Sequence, residues 1–154
     1  MSVDVLTEIE IELPRRDVAP YASDPDNATS WYENIKSVDW KTPGPLAVGA
    51  DLSFGAEFLG RRLTYTYRIE EFVPGERLVM HTADGPFPME TTYEWEDSAS
   101  GGTRMTLRNR GEPSGFGRIA APFMASAIRR ANERDLKRLK RILEADAANV
   151  GGSA

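Results

Sequence analysis

Polar and apolar residues alternate strictly from Val3 to Leu13, with Val3, Val5, Thr7, Ile9, Ile11 and Leu13 on one face and Asp4, Glu8, Glu10 and Glu12 on the other. This period of two predicts a strand with one buried side. Pro14 ends it. The stretches Pro14 to Ala22 and Asp24 to Tyr32 predict two short helices, since proline suits a first helical turn and Ser23 and Asp24 suit an N-cap, and Trp31 closes the pair.

Six further strands follow at hairpin spacing. A short one near Lys36 to Lys41 runs into the Pro43-Gly44-Pro45 loop, and Gly49 to Phe58 places Leu52, Phe54, Ala56 and Phe58 on one side. Leu59-Gly60 makes a tight turn into Arg62 to Phe72, where Leu63, Tyr65, Tyr67 and Ile69 alternate with Thr64, Thr66, Arg68 and Glu70. Pro74-Gly75 turns into Arg77 to Thr82, and Asp84-Gly85-Pro86 into a strand carrying Phe87, Met89, Thr91, Tyr93 and Trp95 against Glu90, Thr92, Glu94 and Glu96. After Gly101-Gly102, Thr103 to Arg110 closes the series with Met105, Leu107 and Asn109 inward, and Pro113 to Gly117 breaks the pattern.

From Ala121 to Ala147 the periodicity changes to that of a helix, ~40 Å long at ~1.5 Å per residue, which Pro122 either starts or kinks. Met124, Ala125, Ile128, Ala131, Leu136, Leu139, Ile142 and Leu143 gather in one arc, with Asn132 and Asp135 as polar intruders. Arg129, Arg130, Arg134, Lys137, Arg138, Lys140 and Arg141 share the other arc with Glu133 and Glu144. The expected architecture is α+β: a seven-stranded antiparallel meander, two short helices after the first strand, and one long helix to cover the sheet. It spans 1–148 as a single domain, with 149–154 as a disordered tail.

Composition narrows the function. The 154 residues are 28% charged and 40% hydrophobic, as in an ordinary globular chain. Cysteine is absent, which removes disulfides, zinc-thiolate sites and thiol nucleophiles and suits a reducing compartment, so the expected location is cytoplasmic. Met1-Ser-Val-Asp-Val is neither basic nor apolar enough for a secretory signal, and no run approaches the ~20 apolar residues of a membrane span. The sequon Asn27-Ala28-Thr29 is therefore discounted. A net charge of −5 argues against nucleic acid as a partner. With one histidine and no phosphate-binding glycine loop, neither a metal nor a nucleotide cofactor is expected.

This order of elements resembles that of the START-like or Bet v1-like (SRPBCC) superfamily, and the chain resembles a bacterial member of its polyketide cyclase/dehydrase type over nearly its whole length. The likeness is carried by the acidic alternating first strand, Trp31, Gly49, Phe58-Leu59-Gly60-Arg61, Gly101-Gly102-Thr103 and Asp135-Leu136-Lys137-Arg138-Leu139-Lys140. It implies a helix-grip fold with a cavity between the curved sheet and the long helix, used in the superfamily for lipids, hormones, polyketides and other apolar molecules. No catalytic motif transfers to this chain.

Strand parity and the helical arc together give a candidate lining: Leu52, Phe54, Phe58, Tyr65, Tyr67, Met80, Phe87, Met89, Thr91, Tyr93, Met105 and Asn109 from the sheet, and Met124, Ile128 and Asn132 from the helix. Aromatic and methionine side chains suit an apolar guest, although the same residues would equally pack a solid core. A buried Asp135 must be hydrogen-bonded, paired with a cation or open to a hydrated cavity, and Asn132 either ties helix to sheet or meets the ligand. His81 shares a face with Val79 and is expected to point outward. Arg61 and Arg62 sit at a strand end, as solvated turn residues or a head-group contact. The basic helix arc is expected to be a solvated face balanced by Glu8, Glu10, Glu90, Glu94 and Glu96, with an acidic-lipid contact as the alternative.

Three functions are compatible with this pattern. The first is a binding or carrier protein for a small hydrophobic molecule, lipid- or polyketide-like. The second is an aromatase/cyclase or dehydratase working in the same cavity, with a tyrosine or Asn109 orienting a carbonyl, though no inward acid and base pair accompanies Asp135. The third is a protein-interaction module of the chaperone-cofactor kind. The oligomeric state stays open between monomer and homodimer.

Overall fold

The computed structural model describes residues 3–84, 88–112 and 121–152. In chain order they form β1 (Val3–Ile11), α1 (Arg15–Ser23), a 3-10 turn (Pro25–Asn27), α2 (Ala28–Trp31), β2 (Ile35–Trp40), β3 (Asp51–Phe58), β4 (Arg61–Val73), β5 (Arg77–Asp84), β6 (Met89–Asp97), β7 (Thr103–Gly111) and α3 (Ala121–Gly152). The strands make one seven-stranded antiparallel sheet in the order β1-β7-β6-β5-β4-β3-β2. Because β1 and β2 lie at opposite edges, the α1–α2 segment carries the chain across the full width of the sheet. This is the helix-grip architecture expected from the sequence.

The alternation of β1 survives in its burial, with Val3, Val5, Thr7 and Ile11 inward and Asp4, Leu6 and Glu8 outward. Leu13 falls beyond the last ladder pair, Ile11 with Thr103, so the strand stops before the expected residue. β3 starts at Asp51 rather than Gly49, because Gly49 is occupied in a turn with φ of 89°, its N–H donating to the Ile69 carbonyl at 2.8 Å. Leu59 and Gly60 both take positive φ, 51° and 76°, between the paired Phe58 and Arg61. Two left-handed central residues are what a two-residue hairpin turn needs to match strand twist. The 13-residue β4 carries register shifts against β5 between Thr66 and Tyr67 and between Ile69 and Glu71, and such irregularities bend a strand.

Trp31, Trp95, Leu52, Ile69, Leu78, Met105, Leu107, Leu136 and Leu139 are fully buried and form the main core. A second cluster joins Val3, Val5, Leu63 and Met89 of the sheet to Met124 and Ile128 of α3. All eight apolar residues of the expected helical arc are buried or half-buried, and Pro122 stands in the first turn of α3 rather than at a kink. The helix runs to Gly152, past the Ala147 expected from the sequence and into the stretch expected to be a disordered tail. Its side chains also serve the edge strand: Lys140 Nζ donates to the Glu10 carbonyl at 2.8 Å and Glu144 accepts the Glu12 N–H at 2.9 Å. Two backbone groups near the β1 edge are thereby satisfied.

The outer face of the sheet is charged, and its carboxylates are answered by arginines of neighbouring strands. Arg108 holds Asp4 through two bonds of 2.9 and 2.6 Å, Arg110 meets Glu90 at 2.7 Å, Arg77 meets Glu94 at 2.7 Å, and Arg104 pairs with Glu96. Of the five acids expected to balance the basic arc of α3, Glu90, Glu94 and Glu96 are thus paired with arginines of neighbouring strands.

A Cβ at Gly102 would run into the Ile11 carbonyl oxygen, a backbone atom held in the β1–β7 ladder, whereas at Gly55 it would meet the free-swinging Ser37 hydroxyl. Gly102→Ala should therefore destabilise the protein by about 1–3 kcal/mol in urea unfolding, and Gly55→Ala by clearly less. Equal losses would show that the ladder yields as easily as a side chain.

Candidate functional site

Two apolar chambers lie between the sheet, α3 and the α1–α2 segment. The first, of about 120 Å3, is lined by Ala22, Ser23, Asp24, Ala28, Trp31 and Tyr32 of the helical insert and by Leu52, Phe54, Tyr67, Ile69, Leu78, Met80, Thr91, Tyr93 and Asn109 of the sheet. The second, of about 160 Å3, lies under α3 between Ile128, Ala131, Asn132 and Asp135 on one side and Phe54, Ala56, Phe58, Tyr65, Tyr67 and Met89 on the other. Tyr32, Ile35, Phe54, Tyr67 and Asn109 touch both and form the partition. An apolar cavity of ~150 Å3 accepts a benzene-sized guest, so each chamber takes about one ring and a larger guest needs the partition to turn aside.

A polar chain crosses this apolar space. Asn132 Nδ2 of α3 donates to Asn109 Oδ1 of β7 at 2.6 Å, and Asn109 Nδ2 donates to Thr91 Oγ1 of β6 at 3.0 Å. The Tyr67 hydroxyl is influenced by the same threonine, which works against the rise in its pKa. Asn132 thus ties helix to sheet and also lines the second chamber, so the two roles left open by the sequence coexist in one residue.

Asp135 lies one helical turn further along and is 2% exposed. Its Oδ1 accepts the Glu33 N–H at 3.2 Å and approaches Arg134 Nε at 3.4 Å, while Arg134 pairs with Glu33 at 2.6 Å. Burial raises the Asp135 carboxyl above its ordinary 3.8, and the Glu33 amide and the Arg134 guanidinium only partly offset this.

The tyrosines of the two chambers are all held neutral. Tyr32 and Tyr93 share a 2.5 Å hydroxyl contact, and burial drives both well above 10. Tyr67 is pushed up to about 12 by burial, with Thr91 acting against the shift, and burial also raises Tyr65. Such hydroxyls offer hydrogen bonds to a guest but are poor proton acceptors at neutral pH.

Of the candidate lining, Leu52, Met80, Thr91 and Tyr93 face the first chamber, Phe58, Tyr65, Met89, Ile128 and Asn132 the second, and Phe54, Tyr67 and Asn109 both. Met105 and Met124 point inward but are fully buried in the two core clusters and line neither chamber, because neighbouring side chains already cover them. Phe87 lies outside the described residues. Sequence reasoning misses Ile35 of β2 and the contribution of the insert, Ala22, Ala28, Trp31 and Tyr32, for which the Trp31-Tyr32 aromatic pair was the available signal. His81 is half-exposed, as expected, with Nδ1 2.6 Å from Glu70 Oε1. Arg61 and Arg62 border a neighbouring pocket by Leu59 and Gly60, which shares Asn34 and Phe58 with the second chamber. Among the described residues no group of three or more metal-ligating side chains is arranged for an ion, and no helix is long and apolar enough to cross a membrane.

A curved sheet gripping a terminal helix over an apolar space defines the class of helix-grip proteins. The chain belongs to the family described as "Polyketide cyclase / dehydrase and lipid transport", which it matches over residues 2–144. No protein of curated function matches it. Solved structures of the same fold include a START superfamily protein from Mycobacterium smegmatis (14% identity, TM-score 0.80, covering 92% of this chain and 97% of that one). The protein TTHA0849 from Thermus thermophilus is similar too (20%, 0.77, 93% and 98%), as is the ZhuI aromatase/cyclase from Streptomyces sp. R1128 (14%, 0.77, 94% and 94%). Family and fold together indicate a polyketide cyclase/dehydrase or a START-like ligand-binding protein.

The raised Asp135 carboxyl has a thermodynamic consequence. The native state keeps its proton to a higher pH than the unfolded chain, so stability is fullest below about 3.8 and declines as pH rises through the folded value. Asp135→Asn keeps an oxygen for the Glu33 N–H and cannot ionise. Its melting temperature relative to the parent should therefore climb between pH 4 and pH 7, and a difference that stays flat or falls would contradict the assignment.

Proposed function

We propose that the protein binds and carries a small, predominantly apolar molecule bearing one hydrogen-bonding group. What supports this reading above all is the polar chain Thr91–Asn109–Asn132 set in two mainly apolar chambers, since a few convergent polar groups in an apolar hollow mark a ligand site. The apolar walls supply affinity at about 25 cal/mol per Å2 of ligand surface buried, and the amides and neutral tyrosine hydroxyls select orientation. Trp31, at the wall of the first chamber, adds a buried indole N–H that has no partner among the described residues.

A cyclase or dehydratase in the same cavity is the second reading, and Asp135 is the observation that favours it. It is an ionisable carboxyl lining the second chamber, beside tyrosines that stay protonated and could hold a carbonyl by hydrogen bonding. Carrier function ranks first because the tyrosines are poor bases, leaving one carboxyl without a second proton-transfer group. Turnover of a poly-β-ketone thioester that disappears in Tyr67→Phe and in Asp135→Asn, with folding intact, would reverse that order.

The carrier reading is tested with 2-naphthol, a two-ring fluorescent probe with one hydroxyl. It should bind one to one and raise the melting temperature in proportion to saturation. Ala131→Phe, which fills the second chamber, should weaken binding at least about tenfold, and Asn132→Leu by about tenfold through the lost hydrogen bond. No saturable binding by the parent, or equal binding by Ala131→Phe, would remove the cavity as the site.

A further inference from the structure

We infer that the outward face of α3 is a docking surface for a membrane rich in anionic lipid. At 3.6 residues per turn, Arg130, Arg134, Lys137, Arg138 and Arg141 fall within an arc of about 100° on the side opposite Ile128, Asn132, Asp135 and Leu139. All five are exposed. That arc holds no aspartate or glutamate; Glu133 and Glu144 lie just outside it.

The pairing of charges separates this surface from the outer face of the sheet. Among the described residues Arg134 is bridged to Glu33 and Asp135, while Arg130, Lys137, Arg138 and Arg141 make no ion pair. On the outer face of the sheet, by contrast, Arg104, Arg108 and Arg110 each meet a carboxylate. A chain of net charge −5 therefore concentrates unanswered positive charge on one stripe of one helix.

The third observation is apolar. Phe123 is 56% exposed and stands 18 positions before Arg141, which is five full turns, so both point in the same direction. With its apolar side held in the core, α3 would meet such a membrane through this outer stripe, the cations facing lipid phosphates and the single exposed ring entering the acyl boundary. An extended polyanion such as RNA would use the arginines but would have less use for an isolated phenylalanine. The inference goes beyond the carrier reading and does not need it, since it rests on surface residues alone.

The experiment is flotation of the full chain with phosphatidylcholine vesicles, with and without phosphatidylglycerol, at low and high salt. Binding is expected only with phosphatidylglycerol and should weaken with salt. The triple variant Arg130→Gln, Lys137→Gln, Arg141→Gln should bind about a hundredfold more weakly, roughly fivefold per charge, and Phe123→Ser severalfold more weakly. Arg104→Gln, Arg108→Gln, Arg110→Gln removes as many charges from the sheet and should bind as the parent does. Melting temperature and 2-naphthol binding, measured on each variant, separate this inference from the cavity reading. It is overturned by a parent that ignores phosphatidylglycerol, by equal losses in both triple variants, or by single-stranded RNA binding the stripe as tightly as the vesicles do with no effect of Phe123→Ser.

Discussion

One helix has to cover seven strands. Strands spaced ~4.8 Å apart make a sheet about 30 Å wide, and a helix with its side chains is only ~10 Å across, so α3 alone cannot close the inner face. The remaining arrangement follows from that deficit. β4 bends at its two irregularities, and the insert between β1 and β2, forced to span from one sheet edge to the other, brings Trp31 and Tyr32 over the part α3 does not reach. Where the two covers meet, close packing is incomplete, and the chambers are the volume left over.

Within that volume, hydrogen bonding decides what can be accommodated. An aliphatic residue at position 132 could pack against β7; the asparagine instead commits α3 to a bond with Asn109, and through it to Thr91. Each of these groups is partnered at least once, so the chain is stable without a guest, yet amides and hydroxyls retain lone pairs and protons beyond those used. Because burial keeps the tyrosines protonated, the walls of the partition present neutral donors and acceptors. Charge enters at the exposed Asp24 of the first chamber and at Asp135 of the second, whose exposure to water is replaced by one backbone amide and one guanidinium.

Much of this was legible in the sequence because the sheet obeys a period of two. Parity alone sends Phe54, Tyr67, Thr91 and Asn109 inward, and the wheel places Asn132 and Asp135 on the buried side of α3. Parity gives direction but not depth, which is why it groups Met105 and Met124 with the lining although other side chains bury them completely. The insert is harder to read, because α2 has four residues and a helix that short has no periodicity from which to infer a face. Charges behave similarly: sequence supplies their sign, and only the ladder register reveals that Arg104, Arg108 and Arg110 stand beside Glu96, Asp4 and Glu90.

The two sides of α3 are linked by the rigidity of the helix itself. Ile128, Ala131, Asn132 and Asp135 close the second chamber, and Arg130 and Arg134, on the same turns, carry the basic stripe. A backbone hydrogen-bonded from one turn to the next cannot move one set without the other. What restrains these turns on the inner side is a short list: the Asn132 bond to β7, the Asp135 bond to the Glu33 amide and the packing of Met124 and Ile128 against Val3, Val5, Leu63 and Met89. A force applied to the outer side therefore acts on the wall of the chamber through the same few contacts that define its polar interior.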